Sequence, residues 1–146
     1  MLVDIIVRSM TLTYLGCPQM EIGTMANILI VDDDELMRTL FKGMVTEAGH
    51  KVTLCETSQE AIQLAEEFKP DLLITDIFIP EQGGLEVIRQ VKKILPEIKI
   101  IAVSGFAMRQ DVDVLELAKR GGADETFQKP VHAQVLVETI KLLLDS

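Results

Sequence analysis

Asp32, Asp33 and Asp34 stand in a row directly behind the apolar run Ile28-Leu29-Ile30-Val31. Asp76 closes a second such run, Leu72-Leu73-Ile74-Thr75. Ser104 follows Ile100-Ile101-Ala102-Val103, and Lys129 follows Thr126-Phe127-Gln128. Carboxylates gathered at one edge of a protein repel each other and need a compensating cation. Hard oxygen ligands, completed by waters and a phosphoryl oxygen, describe a Mg²⁺ site and not a zinc site. The Lys129 ammonium supplies a second compensating charge. A carboxylate beside Mg²⁺ and a lysine can act as a nucleophile toward an activated phosphoryl group, with both cations stabilising charge on the transferring oxygens.

That chemistry requires the apolar runs to lie side by side and point the same way. From Met25 onward, strand-like runs alternate with helical patterns. Asn27–Val31 is a strand candidate, and Leu36, Leu40, Phe41, Met44 and Val45 then repeat at helical spacing up to Gly49. Lys51–Cys55 alternates polar and apolar residues. Ser58–Phe68 is helical, with Ser58 as its expected N-cap and Pro70 beyond its end. Leu72–Thr75 and Ile98–Val103 are strands, and Leu85–Ile94 and Arg109–Arg120 are helices. Glu125–Gln128 is a short strand before a last helix, Val131–Leu144. Such alternation predicts an α/β fold: a doubly wound, five-stranded parallel sheet with five helices on its two faces. The first, third and fourth strands are almost wholly aliphatic, and the second and fifth are the most polar. Strand order 2-1-3-4-5 puts those two at the edges. Ligands of such sheets bind outside the carboxyl ends, where strand order reverses. That is where Asp32, Asp33 and Asp76 fall.

Composition narrows the classes further. The chain has 146 residues, 48% of them hydrophobic and 25% charged, which suits one globular domain. Net charge is -9, so direct nucleic-acid binding, which depends on neutralising phosphates, is not expected. No stretch approaches the ~18 consecutive apolar residues of a membrane span. Asp4 and Arg8 interrupt the apolar start, no basic segment precedes it, and a secretory signal is not expected. Cys17 and Cys55 form neither a disulfide framework nor a metal-ligand pattern, which fits a cytoplasmic location. Residues 1–24 show no sustained period. They read either as an upstream misassigned start or as a genuine extension, ahead of a domain at 25–146.

Taken together, these segments resemble the receiver domain of response regulators in two-component signalling, of the stand-alone type. The resemblance runs over residues 26–146. It rests on Ile28-Leu29-Ile30-Val31-Asp32-Asp33-Asp34-Glu35, on Asp71-Leu72-Leu73-Ile74-Thr75-Asp76 with Pro80 four residues on, and on Gly84-Leu85-Glu86. Ala102-Val103-Ser104-Gly105, Gly122-Ala123-Asp124 and Lys129-Pro130 complete it. It implies the flavodoxin-like receiver fold and a phospho-accepting role for Asp76. Asp33 then resembles the direct Mg²⁺ ligand, Asp32 its acidic neighbour, and the Phe78 backbone carbonyl a further ligand. Ser104 and Lys129 resemble the residues that contact the phosphoryl group. Lys129-Pro130 is expected to be cis. The implied partners are a histidine kinase or histidine phosphotransfer protein and an unidentified downstream protein, met on the face formed by Arg109–Leu144; dimerisation on phosphorylation is left open. With no output domain after Ser146, action in trans is expected, and the chemistry is self-phosphorylation and self-dephosphorylation, not that of an enzyme. Two departures stand out. Thr126 occupies the switch position where the family usually has Phe or Tyr. Gly83 stands in a turn where the family commonly has Asp.

Other readings compete with these. A haloacid-dehalogenase-type phosphatase would use Asp32 as its nucleophile, but Leu36 replaces the usual Thr or Val and a downstream acidic pair is missing. A degenerate receiver would serve only as a binding module, yet every pocket residue is present. Asp34 reads better as a helix N-cap than as a ligand. His50 and His132 read as surface residues, the methionines as core filler, and Glu66-Glu67 and Lys92-Lys93 as solvated helix faces. The bulky Phe78, two residues after Asp76, should hinder a water attacking an aspartyl phosphate. The phosphorylated protein is therefore expected to outlive that of Phe78→Asn, and equal decay rates by intact mass would contradict this.

Overall fold

The computed structural model describes residues 25–79, 82–105 and 111–146. The expectations for residues 1–24, for Pro80 and for a fourth helix starting at Arg109 lie outside them. Five strands, β1 (Asn27–Val31), β2 (Lys51–Cys55), β3 (Leu72–Asp76), β4 (Lys99–Ser104) and β5 (Glu125–Gln128), pair in parallel in the order β2-β1-β3-β4-β5. The three central strands are almost wholly buried, whereas β2 alternates and β5 is only half-buried. The polarity of the edge strands therefore does predict strand order.

The pleat divides the aliphatic side chains between two cores. Leu29, Val31, Leu73, Ile100 and Ala102 face α2 (Ser58–Phe68), α3 (Gly83–Ile94) and α4 (Asp111–Gly121). Ile28, Ile30, Leu72, Ile74, Ile101 and Val103 face α1 (Glu35–Glu47) and α5 (Ala133–Leu144). Phe41 and Val45 of α1 and Leu136 and Ile140 of α5 complete the second core.

Local chemistry sets the element ends. The Asp34 side chain accepts from the backbone N–H groups of Leu36 and Met37 and caps α1, as expected. The cap of α2 is Thr57, not Ser58: its Oγ1 accepts from the Glu60 N–H at 3.1 Å, and Ser58 is buried as the first helical residue. With Glu60 three residues on, this is the pattern of a capping box, which the sequence shows one residue earlier than the apolar period suggests. Helix α1 also departs from its periodicity. Phe41 and Val45 are buried, but Leu36 and Leu40 are 64% and 45% exposed. Lys92 is not solvated either; its Nζ donates to the Ile98 carbonyl at 2.8 Å, and its stem lies against Gly122.

At the amino ends of the strands, side chains satisfy the first N–H groups of neighbouring strands. Asp71 accepts from the Asn27 N–H and Asp124 from the Ile100 N–H, both at 2.8 Å. His50, expected at the surface, is buried there, and its Nδ1 accepts from the Ala26 N–H at 3.1 Å. Burial holds the His50 pKa below the ordinary imidazole value. The unfolded chain then binds more protons than the folded one as pH falls through the ordinary histidine range. The His50 contribution to stability is complete above that range and is lost on acidification through it. In denaturant titrations, the stability difference between the wild type and His50→Gln is expected to narrow from pH 8 to pH 5. Phe41→Ala, which empties part of the α1–sheet core, is expected to cost about 3–5 kcal/mol in the same assay.

Candidate functional site

Asp32 and Lys129 sit one step beyond a strand, and Asp76 and Ser104 at the last position of one, and strand register then decides which of them meet; Asp33 follows Asp32 in the loop, and Thr126 lies within β5. Val31 pairs with Thr75 and Ser104 with Gln128, so Asp32 lies beside Asp76, and Lys129 follows next to Ser104. Main-chain bonds extend the ladders past the strand ends: Asp32 N–H to the Cys55 carbonyl at 3.2 Å, Ile77 N–H to the Val103 carbonyl at 2.9 Å, and Lys129 N–H to the Ser104 carbonyl at 2.9 Å. The parallel sheet thus aims all of these side chains out of the same edge.

Lys129 joins the two buried carboxylates. Its Nζ donates to Asp32 Oδ2 at 2.9 Å and to Asp76 Oδ2 at 3.1 Å. Asp32 is 1% and Asp76 6% exposed. The other carboxylate oxygens are held by backbone: Asp32 Oδ1 accepts from the Asp34 N–H at 2.9 Å, and Asp76 Oδ1 from the Phe78 N–H at 3.1 Å. Burial, and then repulsion from Asp32, raise the Asp76 pKa above the ordinary carboxylate value, while Lys129 and the Phe78 N–H pull against that rise. For Lys129, burial works against the charged form, but its bond to Asp32 and its attraction to both carboxylates win, and its pKa is raised. The ammonium is therefore charged at neutral pH and neutralises part of the acidic cluster.

Asp33 is exposed at the mouth of this arrangement. One carboxylate oxygen from each of Asp32, Asp33 and Asp76 lies within 4.8 Å of the others. Three hard oxygen donors with no thiol or imidazole among them fit Mg²⁺. The Ser104 hydroxyl is fully buried and has no hydrogen-bond partner among the described residues. Such an orphan is costly unless another state of the site gives it one. The Lys129–Pro130 peptide is cis.

The loop after β3 leaves no slack behind Asp76. The Gly84 N–H donates to the Ile77 carbonyl at 2.8 Å, and a Cβ at Gly84 would stand 2.6 Å from the Ile77 Cα. Only glycine allows the start of α3 to press so closely on the chain that carries Asp76. Phe78 is 54% exposed beside this loop. Gly83 has a φ of +81°, a conformation that an Asp would adopt only with strain.

Thr126 is half-buried on β5 opposite Ala102, whereas Phe127 packs into the core on the other face. The neighbouring aromatic therefore cannot occupy the place of Thr126. Two features of the site are not evident from its motifs. Arg38 Nη1 donates to the Asp32 carbonyl at 2.7 Å; its only sequence signal is an arginine one helical turn after the cap Asp34. Cys55 is buried at the end of β2, where burial first, and then the nearby Glu60, push its thiol up to about 12. It stays a protonated, unreactive thiol at neutral pH.

Known proteins share this fold. The sequence signature of the response regulator receiver domain matches residues 28–141. The chain is 37% identical over 120 residues to the polar-differentiation response regulator DivK of Brucella ovis, covering 81% of this chain and 95% of that protein. Among solved structures, it is similar to a response regulator receiver domain protein from Clostridium thermocellum, with a TM-score of 0.77 and 31% identity over 83% of this chain and 95% of the other. A CheY-like receiver domain protein from Methanospirillum hungatei also gives a TM-score of 0.77 and 31% identity, covering 84% of this chain and 95% of its own. With the fold, the acidic edge and these likenesses in agreement, the chain belongs to the response regulator receiver domain family of two-component signalling.

Proposed function

We propose that this protein is a phosphorylation-dependent switch, with residues 25–146 as its receiver domain and Asp76 as the phospho-acceptor. The observation that carries the reading is the convergence of Asp32, Asp33 and Asp76 around Lys129, next to a buried Ser104 hydroxyl without a partner. Asp33, Asp32, Asp76 and the Phe78 backbone carbonyl would hold Mg²⁺. When bound, Mg²⁺ supplies positive charge to the oxygens of the transferring phosphoryl group.

In the transfer itself, an Asp76 carboxylate oxygen attacks the phosphorus of a phosphohistidine on a histidine kinase or phosphotransfer protein. The P–N bond breaks, the imidazole leaves with its electron pair, and an acyl phosphate forms on Asp76. Lys129, already hydrogen-bonded to Asp76, stays charged and in reach of the new phosphoryl oxygens. The Ser104 hydroxyl gains in them the acceptor it lacks. Both contacts exist only in the phosphorylated state, so both shift the equilibrium of the loops after β3 and β4.

The shift is read by a downstream protein at the face built from residues 109–144. Thr126 stands on β5 in place of a large aromatic residue, so no ring rotation at 126 contributes to coupling with the output face. The acidic net charge and the absence of a membrane-length apolar helix among the described residues support a protein-protein role in the cytoplasm.

The test is incubation of the full chain with Mg²⁺ and acetyl phosphate, with intact mass followed over time. A phosphoryl-sized gain is expected that requires Mg²⁺ and is lost entirely in Asp76→Asn. A gain that persists in Asp76→Asn, or the absence of any gain together with no Mg²⁺ binding, would overturn the assignment.

A further inference from the structure

Asp33 poses a positioning problem. Lys129 and the Asp34 N–H hold the Asp32 carboxylate, and Lys129 and the Phe78 N–H hold that of Asp76. Among the described residues, no hydrogen bond holds the exposed Asp33 carboxylate. Where it can reach is set by its backbone, at a bend between the end of β1 and the cap of α1. The peptide unit that enters Asp33 begins with the Asp32 carbonyl, and that carbonyl accepts from Arg38 Nη1 at 2.7 Å.

Arg38 is well placed to act as an anchor. Its own N–H donates to the Asp34 carbonyl at 3.0 Å in the first turn of α1, so the helix carrying it is pinned to the same segment. Its side chain is half-buried, and a guanidinium presents rigidly arranged donors that cost little to order. The ties on the segment Asp32–Asp34 include the Asp32 N–H to β2, the Asp32 carbonyl to Arg38, the Asp34 carbonyl to the Arg38 N–H and the Asp34 side chain to the α1 amides.

We propose that Arg38 is a positioning residue of the cation site. By fixing the Asp32–Asp33 peptide plane, it keeps the Asp33 carboxylate within reach of a divalent cation shared with Asp32 and Asp76. This inference rests on the assignment of that cluster as the Mg²⁺ site, and it concerns a residue that supplies no ligand itself.

The sign of one measurement decides it. A guanidinium near a divalent cation repels it, so if Arg38 acted through its charge alone, its removal would tighten Mg²⁺ binding. If it acts through the carbonyl, its removal loosens binding. The experiment is calorimetric titration of Mg²⁺ into the full-length wild type, Arg38→Met and Arg38→Lys, with thermal unfolding in EDTA as the check on folding. Arg38→Met is expected to weaken Mg²⁺ binding about tenfold, as loss of a residue supporting a metal ligand does. Arg38→Lys, which keeps a donor within reach, is expected to recover most of that loss. With acetyl phosphate, the Mg²⁺ concentration for half-maximal phosphorylation should rise in Arg38→Met by the same factor while the rate at saturating Mg²⁺ is unchanged.

Equal or tighter Mg²⁺ binding by Arg38→Met would overturn the proposal. If Arg38→Met does not fold, Arg38→Gln decides instead, since it removes the charge and shortens the reach: weaker binding supports positioning, and equal or tighter binding overturns it. A wild type that fails to bind Mg²⁺ would overturn the assignment of the cluster, a result distinguishable from a failure of Arg38 alone.

Discussion

One ammonium held between two buried carboxylates is the contact around which the rest of the molecule is arranged. Asp32 and Asp76 sit together out of water, and Lys129 is the cation that bridges them, at 2.9 and 3.1 Å. The geometry that allows the contact comes from the sheet. Parallel strands β1, β3 and β5 all end at the same edge, and each pairing is in the register that brings its last residues level. Two apolar cores on opposite faces hold that register, because a slip of one residue would exchange the two faces.

Much of this was legible in the sequence, for a physical reason. Parallel strands buried on both faces must be continuously aliphatic, and edge strands need not be. Ile28–Val31, Leu72–Thr75 and Ile100–Val103 satisfy the first condition, and Lys51–Cys55 and Glu125–Gln128 the second. Strand order followed, and with it the meeting of Asp32, Asp33, Asp76 and Lys129. The cap at Asp34 was legible because an aspartate directly before a helical period can accept from the free N–H groups of the first turn.

What was not legible depends on three-dimensional neighbours. Ser58 is by residue type as good a cap as Thr57, and the apolar period alone does not choose between them; the Glu60 three residues after Thr57 is the signal that does. His50 looks like a surface residue until the Ala26 N–H is seen to need an acceptor. Leu36 and Leu40 follow a helical spacing, but they lie on the flank of α1, turned away from the stripe of Met37, Phe41, Met44 and Val45 that packs in the second core. Lys92 was paired with Lys93 as solvated, yet its long stem packs on Gly122 and its charge meets carbonyls at the end of α3. Arg38 forms its bond with a carbonyl, and backbone acceptors leave no trace in side-chain motifs.

The Lys129–Asp32 contact also joins residues 97 positions apart in the chain. Contacts of such long range form only after the intervening chain has been brought into place. A nascent or partly unfolded chain that lacks β5 has its acidic residues but not its ammonium. Assembly of the acidic edge is thereby tied to completion of the sheet, since the cluster gains its ammonium only once β5 has docked.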